Sequence, residues 1–536
     1  MTPPEQHSTN ANDDAAPQQI AVSGDMIGGD KIAGDKIGGD KVLGDKVENR
    51  QVTLSIGTLT IPLLPAVIVL LATMFGVAVA LWLYSVPTRM PDGYFNVAVA
   101  EFSQIDDQNR IGSSDDSELL SRRLFTAIQQ QFQDQSPSAF PPLVWHDSMS
   151  IFQKRTRIGA IAGDSPDACL QRADDLNAAI IVYGTLDTRT RPAQLHLRFC
   201  TYSAKLHERE HERDIGAFQE LQGVDRLGSP IRIDLPIANQ LNAGDRVLHL
   251  RTDLLARLVV GLSNELSGGD FQIGVRGALK TFQDALDNLT SNGVVTDESL
   301  AANGGDLVYY FIGREYFLLY QDAATPEKDR PAYLQNAQES FARAIALHDQ
   351  YARAWSALGG VYFLKARQAL FDARPAANDL KQSVDAYQAA IQGSQAEQDR
   401  PAEAQARLAL ALVYWLQADS FLREQPSDNA AAQASLDLAE QHIALGEALL
   451  RPEQNRFHGF AAMIHGLIAH WRGQISLRTS DPAAARTQFT QADQFYQQCI
   501  QAGENDSNDL FLQRQIIDQT CKPRKNSVEM ALKQLQ

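Results

Sequence analysis

The chain has 536 residues and a formal net charge of -17, with 44% hydrophobic residues and four cysteines. That length leaves room for two or three domains. The acidic balance and the lack of a basic stripe argue against nucleic acid as a partner. Four cysteines without a C-x-x-C pair exclude a disulfide-dense scaffold and a zinc ribbon.

Residues 1–23 are rich in Pro, Gln, Asn and Asp and poor in large apolar groups, which predicts disorder. Residues 24–48 then follow a strict period of five: GDMIG, GDKIA, GDKIG, GDKVL, GDKVE. Each unit offers one apolar position, at Ile27, Ile32, Ile37, Val42 and Val47, beside a Gly-Asp corner. This reads either as a short β-solenoid, able to stack between chains and so to self-associate, or as a flexible tether. The repeats resemble Gly-Asp-rich repeats near the ends of some bacterial signalling proteins, and that resemblance implies a recruiting or polymerising role.

No charged residue occurs between Arg50 and Arg89, and residues 59–86 read LTIPLLPAVIVLLATMFGVAVALWLYSV. About 20 apolar residues suffice to cross a bilayer, so this run predicts a single transmembrane helix with the lipid bilayer as its partner. Trp82 and Tyr84 would lie at the headgroup level. Lys31, Lys36, Lys41, Lys46 and Arg50 precede the run, whereas Arg89 stands nearly alone after it. That asymmetry predicts a cell-membrane protein with a cytoplasmic N-terminus and an extracytoplasmic body.

Residues 94–250 alternate strands and helices and predict a small α/β domain. Tyr94–Gln104 alternates as a strand and Ser117–Phe132 follows with helical spacing. Ser165–Ala178 is a short helix leading into a buried strand at Ala178–Thr188, with Gln194–Ala204 as its hairpin partner. The opening strand NVAVAEF and the pattern formed by Ala173, Leu176, Ala178, Ala179, Val182 and Gly184 resemble the TolB amino-terminal type of domain. That resemblance covers about 100 residues and implies a non-catalytic sensing or assembly module. A polar insertion, residues 206–245, departs from it.

The insertion holds His207-Glu208-Arg209-Glu210-His211, which matches H-E-x-x-H. Zinc hydrolysis needs both histidines on one face of a buried helix. The flanking Glu212-Arg213-Asp214 continues the charge on every side, so a solvated segment is the expected reading and a zinc hydrolase the alternative.

From residue 251 to 520 the chain is alanine-rich with helical periodicity, and 521–536 form a tail. Tyr309, Ile312, Gly313 and Tyr316 fit a first helix, and Ala337, Phe341 and Ala344 a second. Trp355, Leu358, Gly359 and Tyr362 open the next unit, which Tyr387 and Ala390 close. Leu410, Ala411 and Tyr414 with Ala439 and Ile443 form another unit. Ala278, Phe282 and Ala285 fit an early second helix, and Ala485, Phe489 and Ala492 a late one. These residues resemble the tetratricopeptide-repeat family over roughly 250 residues, with insertions near Thr325-Pro326, Arg374-Pro375 and Glu424–Pro426. The resemblance implies a superhelical solenoid whose groove takes a protein or peptide. Its first-helix aromatics are expected in the core.

Three histidines, His458, His465 and His470, fall on one predicted helix with no carboxylate or cysteine at ligand spacing. No metal and no cofactor is expected. Cys169 and Cys200 belong to the middle region and Cys499 and Cys521 to the last, so each region holds either one disulfide or two thiols. The expected architecture is multidomain: one membrane helix, a small α/β domain and an all-α solenoid. The expected role is a non-catalytic interaction scaffold or sensor in bacterial signalling or envelope assembly.

Overall fold

The computed structural model describes residues 53–56, 59–62, 67–77, 89–134, 141–146, 158, 161, 166–191, 193–201, 231–237 and, apart from short gaps, 246–535. Residues 1–80 and 81–536 form two separate units.

In the first unit, strands β1 (Thr53–Ile56) and β2 (Leu59–Pro62) pair antiparallel, with Leu54 opposite Ile61. A helix, α1, covers residues 67–77. This corrects the expectation of one transmembrane helix over 59–86. The start of the apolar run is a strand, and the described part of α1 spans about 16 Å at 1.5 Å per residue, against a hydrocarbon core of about 30 Å. Among the described residues no helix is long and apolar enough to cross a membrane. The physical reason lies in the first turns. Leu59-Thr60-Ile61 alternates in a β-favouring pattern, and Pro62 and Pro65 push the residues before them towards extended backbone. The Gly-Asp repeats of residues 24–48 lie outside the described residues.

In the second unit, a mixed sheet is built on β7 (Ile180–Asp187). One edge of β7 pairs parallel with β3 (Phe95–Val99) and then with β4 (Ser103–Ile105). Its other edge pairs antiparallel along its length with β8 (Ala193–Thr201). Outward from these lie β6 (Pro142–His146), parallel to β3, and the short β5 (Ile111–Gly112) beside β4. A further strand, β9 (Ile231–Ile237), extends the sheet antiparallel to β8. It comes from the stretch read as a polar insertion.

Alternation gives the sheet two buried faces. Val97, Val99, Ile180 and Val182 point to one, with α2 (Asp115–Asp134). Ala98, Ala100, Ile181 and Tyr183 point to the other, with α3 (Pro166–Leu176). Two buried asparagines fix the chain that enters β3. Asn96 donates through Nδ2 to the Asn177 carbonyl at 2.8 Å, and Asn177 donates through Nδ2 to the Met90 carbonyl at 2.8 Å.

The helices that follow pair in sequence: α4 (Arg246–Ser267) with α5 (Phe271–Ser291), α7 (Gly305–Gln321) with α8 (Arg330–Leu347), and α9 (Ala352–Phe371) with α10 (Ala377–Ala396). Next come α11 (Arg400–Glu424) with α12 (Asn429–Glu447) and α13 (Asn455–Arg478) with α14 (Pro482–Asn505). A short α6 (Asp297–Ala302) precedes α7, and a π-helical segment (Leu512–Cys521) and α15 (Lys522–Gln534) close the array. The C-terminal region is thus a packed helical array, compatible with a helical-repeat solenoid.

Array and sheet share one core. Helix α4 packs against α2, and its Asp253 accepts from Gln131 of α2 (2.8 Å), from Asn288 of α5 (2.6 Å) and from its own Arg257 (2.9 Å). The apolar core runs without a break from Val97 and Val182 through Leu254 and Leu258 to Phe311 and Val361.

First and second helices differ in burial. Helix α7 has no exposed residue, and α9 none before Arg367. Helix α11 has none from Ala402 to Leu422, and α13 none from Arg456 to Ser476. Moreover, α9 touches α11 and α11 touches α13. The first helices therefore form an inner layer, which explains why their apolar residues are spread around the helix rather than confined to one stripe. The second helices α8, α10 and α14 expose polar faces, including Gln335, Lys381, Gln392 and Gln494.

Candidate functional site

The residues that suggested the repeat register pack between the helices of each pair. A glycine in the first helix faces an aromatic ring in the second. A Cβ on Gly313 would lie 2.7 Å from the Phe341 ring, and one on Gly359 would lie 2.9 Å from Tyr387. The same device recurs with Gly261 against Phe282 (2.2 Å) and Gly473 against Phe489 (2.6 Å). Ala337, Ala344 and Leu358 are buried beside these rings.

Of the first-helix aromatics, Tyr309, Tyr316, Trp355 and Tyr362 are half-buried and Tyr414 is buried. Tyr316 accepts from Gln283 of α5 (3.1 Å), and Tyr362 accepts from Gln338 of α8 (3.4 Å), to which Lys365 also donates. Tyr414 is hydrogen-bonded to Gln388 of α10. The guanidinium of Arg343 lies 5.8 Å from the Tyr309 ring, and Trp355 donates to the Asp349 carbonyl at 2.7 Å. Between α12 and α13 the tyrosine–glutamine contact gives way to charge. Arg472 donates to Asp437 (2.6 Å) and pairs with Glu440 (2.5 Å), while His465 meets Glu447.

The seam between α12 and α13 opens into a cavity of about 380 Å³ lined by Glu447, His458, Ala462, His465, Phe495, Gln498 and Ala502. Three elements build it. Glu447 is the last residue of α12, His458, Ala462 and His465 lie on α13, and Phe495, Gln498 and Ala502 lie on α14. His465 donates through Nε2 to Glu447 Oε2 at 3.2 Å and stacks on Phe495, with centroids 4.8 Å apart and planes 17° apart. The size falls in the range of small-ligand clefts.

Sequence reading singled out His458 and His465, and the fold brings both to this cavity. It missed Glu447, because the carboxylate arrives from the preceding helix. His470 lies apart, edge-on to Phe489, and burial together with Arg524 pushes its pKa down to about 4. Among the described residues no group of three His, Cys, Asp or Glu is placed to hold a metal ion. His207, Glu208 and His211 lie outside the described residues.

Cys499 of α14 is disulfide-bonded to Cys521 at the start of α15. Cys169 is also disulfide-bonded; the side chain of Cys200 lies outside the described residues, and its backbone in β8 faces Ile181. The Cys499–Cys521 bridge spans 22 residues and ties the closing helix onto the array. Converting both cysteines to alanine is expected to cost about 3 kcal/mol by the loop-closure argument. Denaturant unfolding of this variant beside the parent checks it, and an unchanged midpoint would contradict a staple at this place.

A second polar cluster sits deep in the core. Arg314 of α7 donates Nη1 to Glu265 Oε2 (2.5 Å), Nη2 to Glu265 Oε1 (3.0 Å) and Nη1 to Glu315 Oε1 (2.8 Å). All three residues are buried. Burial and then the charge of Glu265 raise the Glu315 pKa well above the usual carboxylate value. Burial opposes the charge on Arg314, but the two carboxyls hold its proton firmly. Burial also lifts Tyr310, beside them, to about 12. The cluster is closed to solvent, so it orders α4 against α7 rather than serving a substrate.

No family model and no curated protein matches the chain.

Proposed function

We propose that this chain is a non-catalytic protein-interaction scaffold of tetratricopeptide-like build, with a TolB-like α/β domain fused to the head of the array. The observation that carries this reading is the array itself. Five helix pairs follow one another from α4 to α14, with the first helices buried as an inner layer and the second helices displayed in succession. Such a surface is long and modular and suits a partner that touches several repeats. A role in bacterial signalling or envelope assembly fits the Gly-Asp repeats at the other end of the chain.

Site-specific photo-crosslinking of the full chain tests the reading. A photoreactive residue is placed at Gln335, Gln392 or Gln494 on the second helices, or at Gln130 on α2 as the comparison. The expected result is one protein adduct shared by at least two second-helix positions and absent from position 130. Adducts from α2 alone, or none from the array, would remove the support.

A further inference from the structure

We propose that the cavity between α12, α13 and α14 takes an arginine side chain of the partner; the inference rests on the scaffold reading and names the ligand chemistry of one site in it. Among the described lining residues, the one acidic side chain is the Glu447 carboxylate. Its Oε2 accepts from His465, while its Oε1 accepts no hydrogen bond from any described residue. Glu447 also ends α12, where the helix dipole adds partial negative charge. Both features select a cation.

The aromatic lining then favours a flat one. His465 and Phe495 are stacked on each other, so a ligand meets an outer face of the stack, and the His465–Glu447 hydrogen bond holds the stack beside the carboxylate. A guanidinium is planar, donates only, stacks on aromatic faces and meets a carboxylate through a fork of N–H groups. Ala462 and Ala502 carry side chains short enough to leave room for the methylene stem. Gln498, exposed at the rim, supplies a further carbonyl acceptor. A lysine ammonium would satisfy the charge and meet the ring face as a point charge, without the planar stacking or the fork of donors.

The test uses the full chain labelled with [13C]histidine and follows the ring signals of His458 and His465, identified through His458→Gln and His465→Gln. N-acetyl-arginine amide, its lysine counterpart and its citrulline counterpart are titrated in turn. The arginine amide is expected to shift both signals saturably, with a dissociation constant on the order of millimolar for so small a probe. The lysine amide is expected to bind more weakly, and the citrulline amide, isosteric but neutral, not to saturate. Glu447→Gln, at a half-buried helix end, is expected to weaken the arginine response ~10-fold or more. No saturable shift, an equal response to citrulline or lysine, or an unchanged response in Glu447→Gln would overturn the proposal. If second-helix crosslinking to a partner persists while the arginine response is absent, only this inference falls.

Discussion

Replacing Arg314 with methionine is expected to destabilise the second unit by about 3–5 kcal/mol, the range for breaking a buried ion pair from one side. Arg314 carries one charge between two carboxyls, at 2.5 Å from Glu265 and 2.8 Å from Glu315. Methionine keeps most of the volume but removes every donor, so Glu265 and Glu315 are left together in the core. Glu315 Oε2 already lacks a partner in the structure, which adds to the cost of losing the guanidinium. The loss should appear as a lower urea midpoint at neutral pH, because α4 and α7 anchor the sheet to the array.

Glu315→Gln separates the proton from the ion pair. The native pKa of Glu315 is raised above the unfolded value, so the folded state binds the extra proton. The stability this contributes is fully present below about pH 4.5 and is lost as pH rises through the native pKa. Glutamine is neutral throughout and keeps an acceptor for Arg314. The variant is therefore expected to gain on the parent as pH rises from about 4.5. A stability difference that stays flat between pH 4 and pH 9 would show that Glu315 is ionised in the fold.

The second large effect falls on Gly261→Ala. A Cβ there would meet three atoms of the Phe282 ring at 2.2, 2.6 and 2.9 Å. Alanine in a helix gains up to about 1 kcal/mol over glycine, but overpacking in a filled core costs about 1–3 kcal/mol. At this approach the clash dominates, so net destabilisation is expected. Gly277→Ala in α5 is the internal comparison. Its Cβ would come no closer than 3.7 Å to Asn264, so it should gain by helix propensity alone. Phe282→Leu is expected to relieve part of the cost of Gly261→Ala, and a double-mutant cycle reads this as a coupling between contacting residues. If Gly261→Ala were as stable as Gly277→Ala, the glycine–aromatic rule of the array would be wrong.

The helices that carry this rule were legible in sequence, because Ala337-x3-Phe341-x2-Ala344 and Gly359-x2-Tyr362 each show helical spacing within one helix; the glycine–ring contacts themselves, Gly313 with Phe341 and Gly359 with Tyr387, join residues 28 apart and were not. The strands β3 and β8 were equally legible from alternation, and β7 from its continuous apolar run. So was β9, since Ile231-Arg232-Ile233-Asp234-Leu235 alternates too, but it sits in a charged stretch that read as an insertion. The transmembrane expectation failed for a different reason. An uncharged run gives composition, not conformation, and the threonines and prolines at residues 58–65 favour a hairpin over a helical start.

Long-range partners were not legible. Arg314 meets Glu265 across 49 residues and Glu447 meets His465 across 18. A charged residue inside an apolar helix, such as Arg314-Glu315, was the available signal for the first. For the second, the repeat register offered a hint, because the end of one second helix must lie beside the opening turns of the next first helix.

Amide hydrogen exchange on the full chain tests the central claim most directly, that the first helices are a buried layer and the second helices the display surface. The slowest exchange is expected in α7, α9, α11 and α13, together with β3 and β7, and faster exchange along α8, α10, α12 and α14. First helices that exchange as fast as their partners would reveal an open groove lined by α7, α9, α11 and α13. The surface assigned here to the partner would then be the wrong one.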